Sequence, residues 1–148
     1  MAKVYVASSW RNSFQDVIVK ALEALGHEVY DFKNPHEGQK GFNWREVDPN
    51  WESWTVAQYQ KGLQHTIAQS GFKSDLNAME WAESCVLVMP CGRSAHLEAG
   101  WFAGKGKQLM VYVPPETRFE PELMYLLADD KPIVTSVHEM HMRLIHNK

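Results

Sequence analysis

The chain has 148 residues, of which 45% are hydrophobic and 22% are charged, and these values are typical of one soluble globular domain with a real core. A formal net charge of −3 is no basic surplus, so nucleic-acid binding is not expected. We also expect no membrane partner and no signal peptide, because no apolar run has the required length or pattern. Two cysteines are too few for a disulfide framework, so free thiols and a reducing cytoplasm are expected.

The first elements form a strand–helix–strand unit. The apolar residues of 3–7 predict a buried strand, and a helical pattern then continues to Gly26 with Ser13 as its N-cap. Residues 27–32 predict the second strand. Because a helix joins the two strands, they should be parallel.

An aromatic-rich insertion follows at residues 33–54. It contains glycines, prolines and four large aromatic residues, namely Phe42, Trp44, Trp51 and Trp54. A loop of this length inside a compact domain is often a lid or a binding loop. The alternative is that these aromatic side chains cover the edge of the sheet, and the sequence favours neither.

Two helices are expected after the insertion. The first covers residues 55–69 and is ended by Gly71, and the second begins at Ser74 as its cap. Asp75 then lies in a first helical turn, where an acid commonly serves only to stabilise the helix dipole.

The rest of the chain continues the alternation of strands and helices. Strands are predicted at residues 85–89, 108–113 and 132–135, and helices at 95–104, 121–128 and 137–145. The expected fold is a single α/β domain, a flavodoxin-like or Rossmann-like sandwich with five parallel strands and helices on both faces.

Two polar turns follow predicted strands at the sheet end where such folds bind ligands. Each turn offers hydroxyl groups, an arginine and the unpaired N–H groups of a helix start, which together favour a phosphate or another anion. Neither turn has the glycine pattern of a dinucleotide or triphosphate site. The candidate substrate-binding residues are Ser8, Ser9 and Arg11 in the first turn and Gly92, Arg93 and Ser94 in the second.

Glu98 lies one turn inside the helix that follows the second polar turn. It is not the acid of a capping box, whose spacing from Ser94 would require an acid at Leu97. A carboxylate near a helix N-terminus is expected to stay ionised, as a nucleophile must. His138 and His141 are spaced for a metal on the last helix, but no third ligand is near in sequence, so we expect neither a metal nor another cofactor.

Several of these segments resemble the nucleoside 2-deoxyribosyltransferase family. The resemblance rests on Tyr5, on the motif Ser74-Asp75-Leu76-Asn77 and on the glycine-rich segment of residues 97–107. It implies that Glu98 is a nucleophile attacking C1′ of the sugar, that Asp75 protonates the leaving base, and that Tyr5 orients the nucleophile. Such a pair of carboxylates suits the breaking of a glycosidic bond.

The turn around Gly92 more closely resembles the deoxynucleoside 5′-monophosphate N-glycosidases of the same superfamily, in which serines and an arginine hold the 5′-phosphate. The chain therefore resembles an enzyme that cleaves the N-glycosidic bond of a nucleoside 5′-monophosphate, by hydrolysis or base transfer. The alternatives are a 2-deoxyribosyltransferase on free nucleosides, a nucleotide-binding or sensing domain, and an enzyme that splits a larger nucleotide such as NAD. The resemblance also implies a homodimer or a higher homo-oligomer, for which the apolar residues at 124–127 offer a surface.

Overall fold

The computed structural model describes residues 1–35 and 39–147, so positions 36–38 of the insertion and Lys148 lie outside the described residues. Five strands form one parallel sheet in the order β2-β1-β3-β4-β5. The strands are β1 Lys3–Ala7, β2 Glu28–Asp31, β3 Ser84–Val88, β4 Gln108–Tyr112 and β5 Ile133–Val134. The expected α/β sandwich with a five-stranded parallel sheet is confirmed.

Five α-helices and three short 3₁₀ helices occur in the described part of the chain. The α-helices are α1 Ser13–Ala24, α2 Val56–Leu63, α3 Thr66–Trp81, α4 Arg93–Gly104 and α5 Val137–His146. The 3₁₀ helices are Trp44–Glu46, Trp51–Ser53 and Leu123–Leu127, and the last of these lies within residues 121–128, where a short helix was expected. No helix within 1–35 or 39–147 is long and apolar enough to span a membrane.

Alternating residues of the strands divide the core between the two faces of the sheet. Val4 and Val6 of β1 pack with α1 and α5, whereas Tyr5 and Ala7 pack with α3 and α4. Because successive side chains of a strand point to opposite faces, this alternation directs Tyr5 toward the helix that carries Glu98.

The first helix begins one residue earlier than the expected cap implies. Asn12 is the N-cap, and its side-chain oxygen accepts a hydrogen bond from the N–H of Phe14, so Ser13 is the first helical residue and not the cap. Gly26 ends the turn after α1 with a φ of 91°, a conformation that costs glycine little.

The division between the two helices after the insertion differs from the expectation. The break falls at Gln64 and His65, and α3 then runs without interruption through Gly71 and Ser74. Gly71 does not end a helix: a Cβ atom there would lie 3.0 Å from the Cβ of Phe42, so the glycine permits close packing of the insertion on α3. Ser74 is therefore not a cap, and Asp75 lies in the middle of α3.

Candidate active site

Two tyrosine–carboxylate pairs lie side by side on the α3/α4 face of the sheet. The hydroxyl of Tyr5 donates a hydrogen bond to Oε2 of Glu98, which links β1 to α4. The hydroxyl of Tyr30 donates to Oδ1 of Asp75 over 2.9 Å, which links β2 to α3. The structure thus brings together the three residues expected to be catalytic and adds Tyr30 to them.

The strand register explains why the two pairs are adjacent. Tyr5 and Tyr30 are direct partners in the pairing of β1 with β2. Their rings stack with centroids 5.3 Å apart and planes inclined by 17°. The ring of Phe102 also packs against Tyr5, with centroids 5.6 Å apart. The stacked rings fix the positions of both hydroxyl groups, and so of the carboxylates that they contact.

Burial raises the pKa of Glu98 to about 7, and the nearby charge of Asp75 acts in the same direction, while the hydrogen bond from Tyr5 opposes the rise. The expectation that a helix N-terminus keeps this carboxylate ionised was therefore incomplete. Glu98 is the sixth residue of α4, beyond the first turn in which the helix dipole is effective, so desolvation dominates.

Asp75 also has a raised pKa, because burial outweighs the hydrogen bond from Tyr30. A raised pKa favours the protonated carboxyl, which is the form that can donate a proton to a leaving group. The middle of α3 gives Asp75 no free N–H groups to stabilise, so the helix-dipole explanation does not apply. Burial also raises the pKa of both tyrosines, so their hydroxyl groups remain protonated donors.

The two polar turns meet, as expected, where β1 and β3 end. The hydroxyl oxygen of Ser9 accepts a hydrogen bond of 2.9 Å from the N–H of Gly92, the N-cap of α4. Because a hydroxyl has both a donor and acceptor sites, the hydrogen of Ser9 can still donate to a ligand. Ser8 is buried, and its hydroxyl donates to the carbonyl of Val88 over 2.8 Å, so its one hydrogen serves the protein.

Asn12 holds the two turns together. It is buried, and the two hydrogens of its amide nitrogen are shared among three acceptors, namely Ser8 Oγ at 2.9 Å, the carbonyl of Val88 at 3.1 Å and the carbonyl of Pro90 at 3.0 Å. The same side chain caps α1. One asparagine thereby fixes the end of β1 relative to the end of β3, and hence the start of α4.

A cleft of about 400 Å³ joins these features. Its lining includes both carboxylates and most of the expected substrate-binding residues, together with Phe42 of the insertion and Phe32 directly before it. These residues are Asp75, Glu98, Ser8, Ser9, Gly92, Arg93, Ser94, Phe32 and Phe42. Arg11 is exposed and does not line this cleft.

Cys91 is close to the site but is a poor competitor as a nucleophile. Burial, reinforced by the charge of Glu98, raises the pKa of its thiol to about 12, so the reactive thiolate is scarce. Both Cys85 and Cys91 are free cysteines. Among residues 1–35 and 39–147, no group of three or more histidine, cysteine or acidic side chains is placed to hold a metal ion.

Tyr30 and Asn12 are the site residues that the sequence interpretation missed. Tyr30 could have been found from the sequence, because the central residues of two adjacent parallel strands are often neighbours. In β1 and β2 these residues are Tyr5 and Tyr30. Asn12 directly precedes the expected cap, and asparagine is as favourable as serine at that position, so both residues were candidates. Its bonds to Val88 at the end of β3 and to Pro90 just after it span 76 and 78 positions of sequence, and no local pattern predicts them.

The fold is shared with solved structures of enzymes that act on nucleosides and nucleotides. The chain is similar to the 2-deoxyribosyltransferase of Bacillus psychrosaccharolyticus, with 22% identity over 94% of this chain and 90% of that one and a TM-score of 0.56. It is also similar to the CMP N-glycosidase BcmB of Clostridium botulinum, with 18% identity over 96% and 97% of the two chains and a TM-score of 0.50.

A conserved protein from Enterococcus faecalis has the same fold, with 11% identity, 98% coverage of each chain and a TM-score of 0.58. No protein-family model matches the chain, and no curated protein sequence does so either. The two named enzymes belong to the nucleoside 2-deoxyribosyltransferase-like superfamily, so the resemblance seen in the sequence is confirmed at the level of the fold.

Proposed function

We propose that this protein is an enzyme that cleaves the N-glycosidic bond of a nucleoside 5′-monophosphate, with Glu98 as the nucleophile. The observation that carries the proposal is the pair of buried carboxylates, each bonded to a tyrosine, at one wall of a cleft that also contains a helix start. The shared fold of a 2-deoxyribosyltransferase and a CMP N-glycosidase supports the same reaction type.

The proposed first step forms one bond and breaks another. A carboxylate oxygen of ionised Glu98 attacks C1′ of the sugar while the bond from C1′ to the base nitrogen breaks, and its electron pair leaves with the base. Protonated Asp75 transfers its proton to the base, which departs neutral. Tyr5 keeps one oxygen of Glu98 hydrogen-bonded and thereby directs the other toward the cleft.

The second step removes the sugar from Glu98. In hydrolysis a water molecule attacks C1′, its proton passes to Asp75, and the bond from C1′ to the Glu98 oxygen breaks to regenerate the carboxylate. In base transfer the nitrogen of a second base takes the place of water, and its proton returns to Asp75. Both outcomes restore the starting protonation states, as in retaining glycosidases.

The start of α4 supplies the proposed phosphate site. Arg93 and Ser94 are the first residues of this helix, whose N–H groups are unpaired at that end, and both line the cleft. Ser9 adds a hydroxyl hydrogen. An arginine–phosphate hydrogen bond contributes about 1.5–3 kcal/mol, or one to two decades in affinity. Because Arg11 lies outside the cleft, Arg93 is the stronger candidate for this contact.

The decisive experiment compares wild type with Glu98→Gln on a panel of nucleosides and nucleoside 5′-monophosphates, with released bases separated by chromatography. We expect wild type to release bases and Glu98→Gln to be slower by ~10³-fold or more, because the amide cannot form the covalent intermediate. Mass spectrometry of stopped reactions should find the sugar phosphate attached to Glu98. A folded Glu98→Gln protein with wild-type turnover would refute the mechanism.

The phosphate assignment has its own test in two matched arginine variants. Arg93→Ala should raise KM for the monophosphate ~10-fold or more and change the kinetics of the free nucleoside little. Arg11→Ala removes the same charge outside the cleft and should have a smaller effect. A wild-type preference for free nucleosides would instead favour a 2-deoxyribosyltransferase.

We also propose that the protein is a homodimer or a higher homo-oligomer. Four apolar side chains of the Leu123–Leu127 segment are more than half exposed, at 74% for Leu123, 57% for Met124, 54% for Leu126 and 60% for Leu127. Several exposed apolar side chains on one short segment are typical of an interface. Light scattering at micromolar concentration should give at least twice the 17.0 kDa of the chain, and Leu126→Asp should reduce that mass.

A further inference from the structure

A second cavity adjoins the cleft and has about the same size. It occupies about 430 Å³ between the insertion and α3. We call it the insertion chamber and define it by Lys40, Phe42 and Glu46 on the insertion side and by Thr66, Ser70 and Asp75 on α3. The sequence does not predict the position of this cavity, because the insertion matches no pattern of the families that the chain resembles.

The insertion chamber and the cleft meet at Asp75. Asp75 lines both cavities, as do Phe32 and Phe42. The group that accepts the Asp75 proton must lie next to it. If the phosphate lies at the start of α4 and C1′ lies at Glu98, the base extends past Asp75 and away from the phosphate, into the chamber.

The wall of the chamber is built by close packing. A Cβ atom on Gly71 would meet the Phe42 ring at 3.1 Å, and one on Gly41 would collide with the carbonyl oxygen of Phe32 and lie 2.7 Å from the ring of Trp10. The Phe42 ring also packs edge-on against Trp44, with centroids 4.8 Å apart. Two glycines therefore allow the insertion to approach α3 and β2 closely, and Phe42 is fixed between the two cavities.

The chemistry of the lining fits a heterocyclic base. Phe32 and Phe42 offer aromatic faces and edges, against which bases commonly stack. Thr66, Ser70 and Lys40 supply hydrogen-bond donors, and Glu46 supplies an acceptor. A base with polar groups on its edges can thus be held at several points.

Resting on the proposed function, we propose that the insertion chamber is the base-binding site and that it selects a two-ring, purine-type base. Small-molecule sites span roughly 300–1,000 Å³, and the cleft of about 400 Å³ is of the size that suits the sugar phosphate. The chamber of about 430 Å³ beyond Asp75 is then available to the base, and a two-ring purine fills more of it than a one-ring pyrimidine does. The insertion is therefore a specificity element.

The test fills the chamber from α3. Ser70→Phe places a ring inside it, and Lys73→Phe places the same ring on an exposed position of the same helix that lines neither cavity. For wild type we expect kcat/KM on AMP or GMP, in the ribo or deoxy form, to exceed that on CMP or UMP by ~10-fold or more. Ser70→Phe should lower the value for purines at least ~10-fold more than for pyrimidines, and Lys73→Phe should preserve the ratio.

Calorimetry with free adenine and guanine on Glu98→Gln separates this inference from the reaction itself. If purines bind Glu98→Gln/Ser70→Phe more weakly than Glu98→Gln, the chamber assignment is supported even when wild type shows no turnover. The absence of turnover would then reject only the proposed reaction. Thr66→Phe replaces Ser70→Phe if circular dichroism shows the latter unfolded. Any of three results would overturn the assignment. Wild type could prefer pyrimidine nucleotides, Ser70→Phe could lower kcat/KM equally for both base classes, or purines could bind Glu98→Gln/Ser70→Phe as tightly as Glu98→Gln.

Discussion

The hydrogen bond from Tyr5 to Glu98 gives a pH-dependent prediction. In wild type the pKa of Glu98 is raised to about 7, and the Tyr5 bond is the influence that lowers it. Tyr5→Phe removes a bond to a charged acceptor at a fully buried position, worth about 1.5–3 kcal/mol. Since one pKa unit corresponds to about 1.4 kcal/mol, the pKa of Glu98 should rise by about 1–2 units.

The assay isolates Glu98 by removing the need for Asp75. A ribose 5-phosphate with 4-nitrophenol in place of the base has a leaving group that departs without a proton. Its cleavage should increase with pH as Glu98 ionises, with a midpoint of about 7 in wild type. In Tyr5→Phe the midpoint should move to roughly 8–9, so the rate at pH 7 falls while much of the rate at high pH is retained.

The matched control is Tyr59→Phe, which removes a hydroxyl from a tyrosine of α2 that is 47% exposed and lines neither cavity. Its midpoint should equal that of wild type. If the midpoint in Tyr5→Phe also stays at the wild-type value, the Tyr5 hydroxyl does not act on the ionisation of Glu98, and the reasoning fails.

Three further results are expected. Tyr30→Phe releases Asp75 and should lower kcat on nucleotides by ~10-fold while affecting the nitrophenyl substrate less, since that substrate needs no proton; equal losses would contradict the role. Ser9→Ala removes one proposed phosphate donor and should raise KM for the monophosphate by a few fold, roughly the worth of one hydrogen bond, with no matching change for the nucleoside. His27 is buried beside His141, with their ring nitrogens 2.8 Å apart, and burial lowers its pKa. Neutral His27 therefore favours the folded state above the unfolded-state pKa of about 6.5, and this contribution is lost as the pH falls through the lowered folded-state pKa. Between pH 7.5 and 5.5 the Tm of wild type should drop more than that of His27→Gln. Each kcal/mol lost from the free energy of unfolding corresponds to a decrease of about 2–4 °C in Tm.

The sheet was predictable because its pattern is local. The apolar runs of β1, β3 and β4 are each bounded by turn residues, and the connecting helices force parallel pairing. The approach of the insertion to α3 was not predictable. Gly71 has the appearance of a helix end in sequence, yet its function depends on Phe42, a residue 29 positions earlier whose ring occupies the space of the absent side chain.

The candidate residues of the site could be identified from the sequence, but the burial and protonation of their side chains could not. Glu98, Asp75 and Tyr5 are recognisable from short motifs, whereas the protonation of the two carboxyl groups depends on burial by elements far apart in sequence. The helix N-terminus is the feature nearest to Glu98 in sequence, but desolvation by residues distant in sequence has the larger effect on its pKa.

The shared burial of the two carboxyl groups leads to a consistent account of the whole cycle. A negative charge on Asp75 raises the pKa of Glu98, so when Asp75 is protonated this contribution disappears and Glu98 ionises more readily. The proposed reaction requires the one-proton state in which Asp75 carries the proton and Glu98 is ionised. When Glu98 becomes an ester of the sugar it loses its charge, and Asp75 acquires one by giving its proton to the base. The site thus holds a single negative charge before and after the step, always next to a tyrosine hydroxyl that can donate to it. Moving this charge between two prepared positions avoids the desolvation cost of burying two charges at once, which is the physical reason to pair each carboxylate with its own tyrosine.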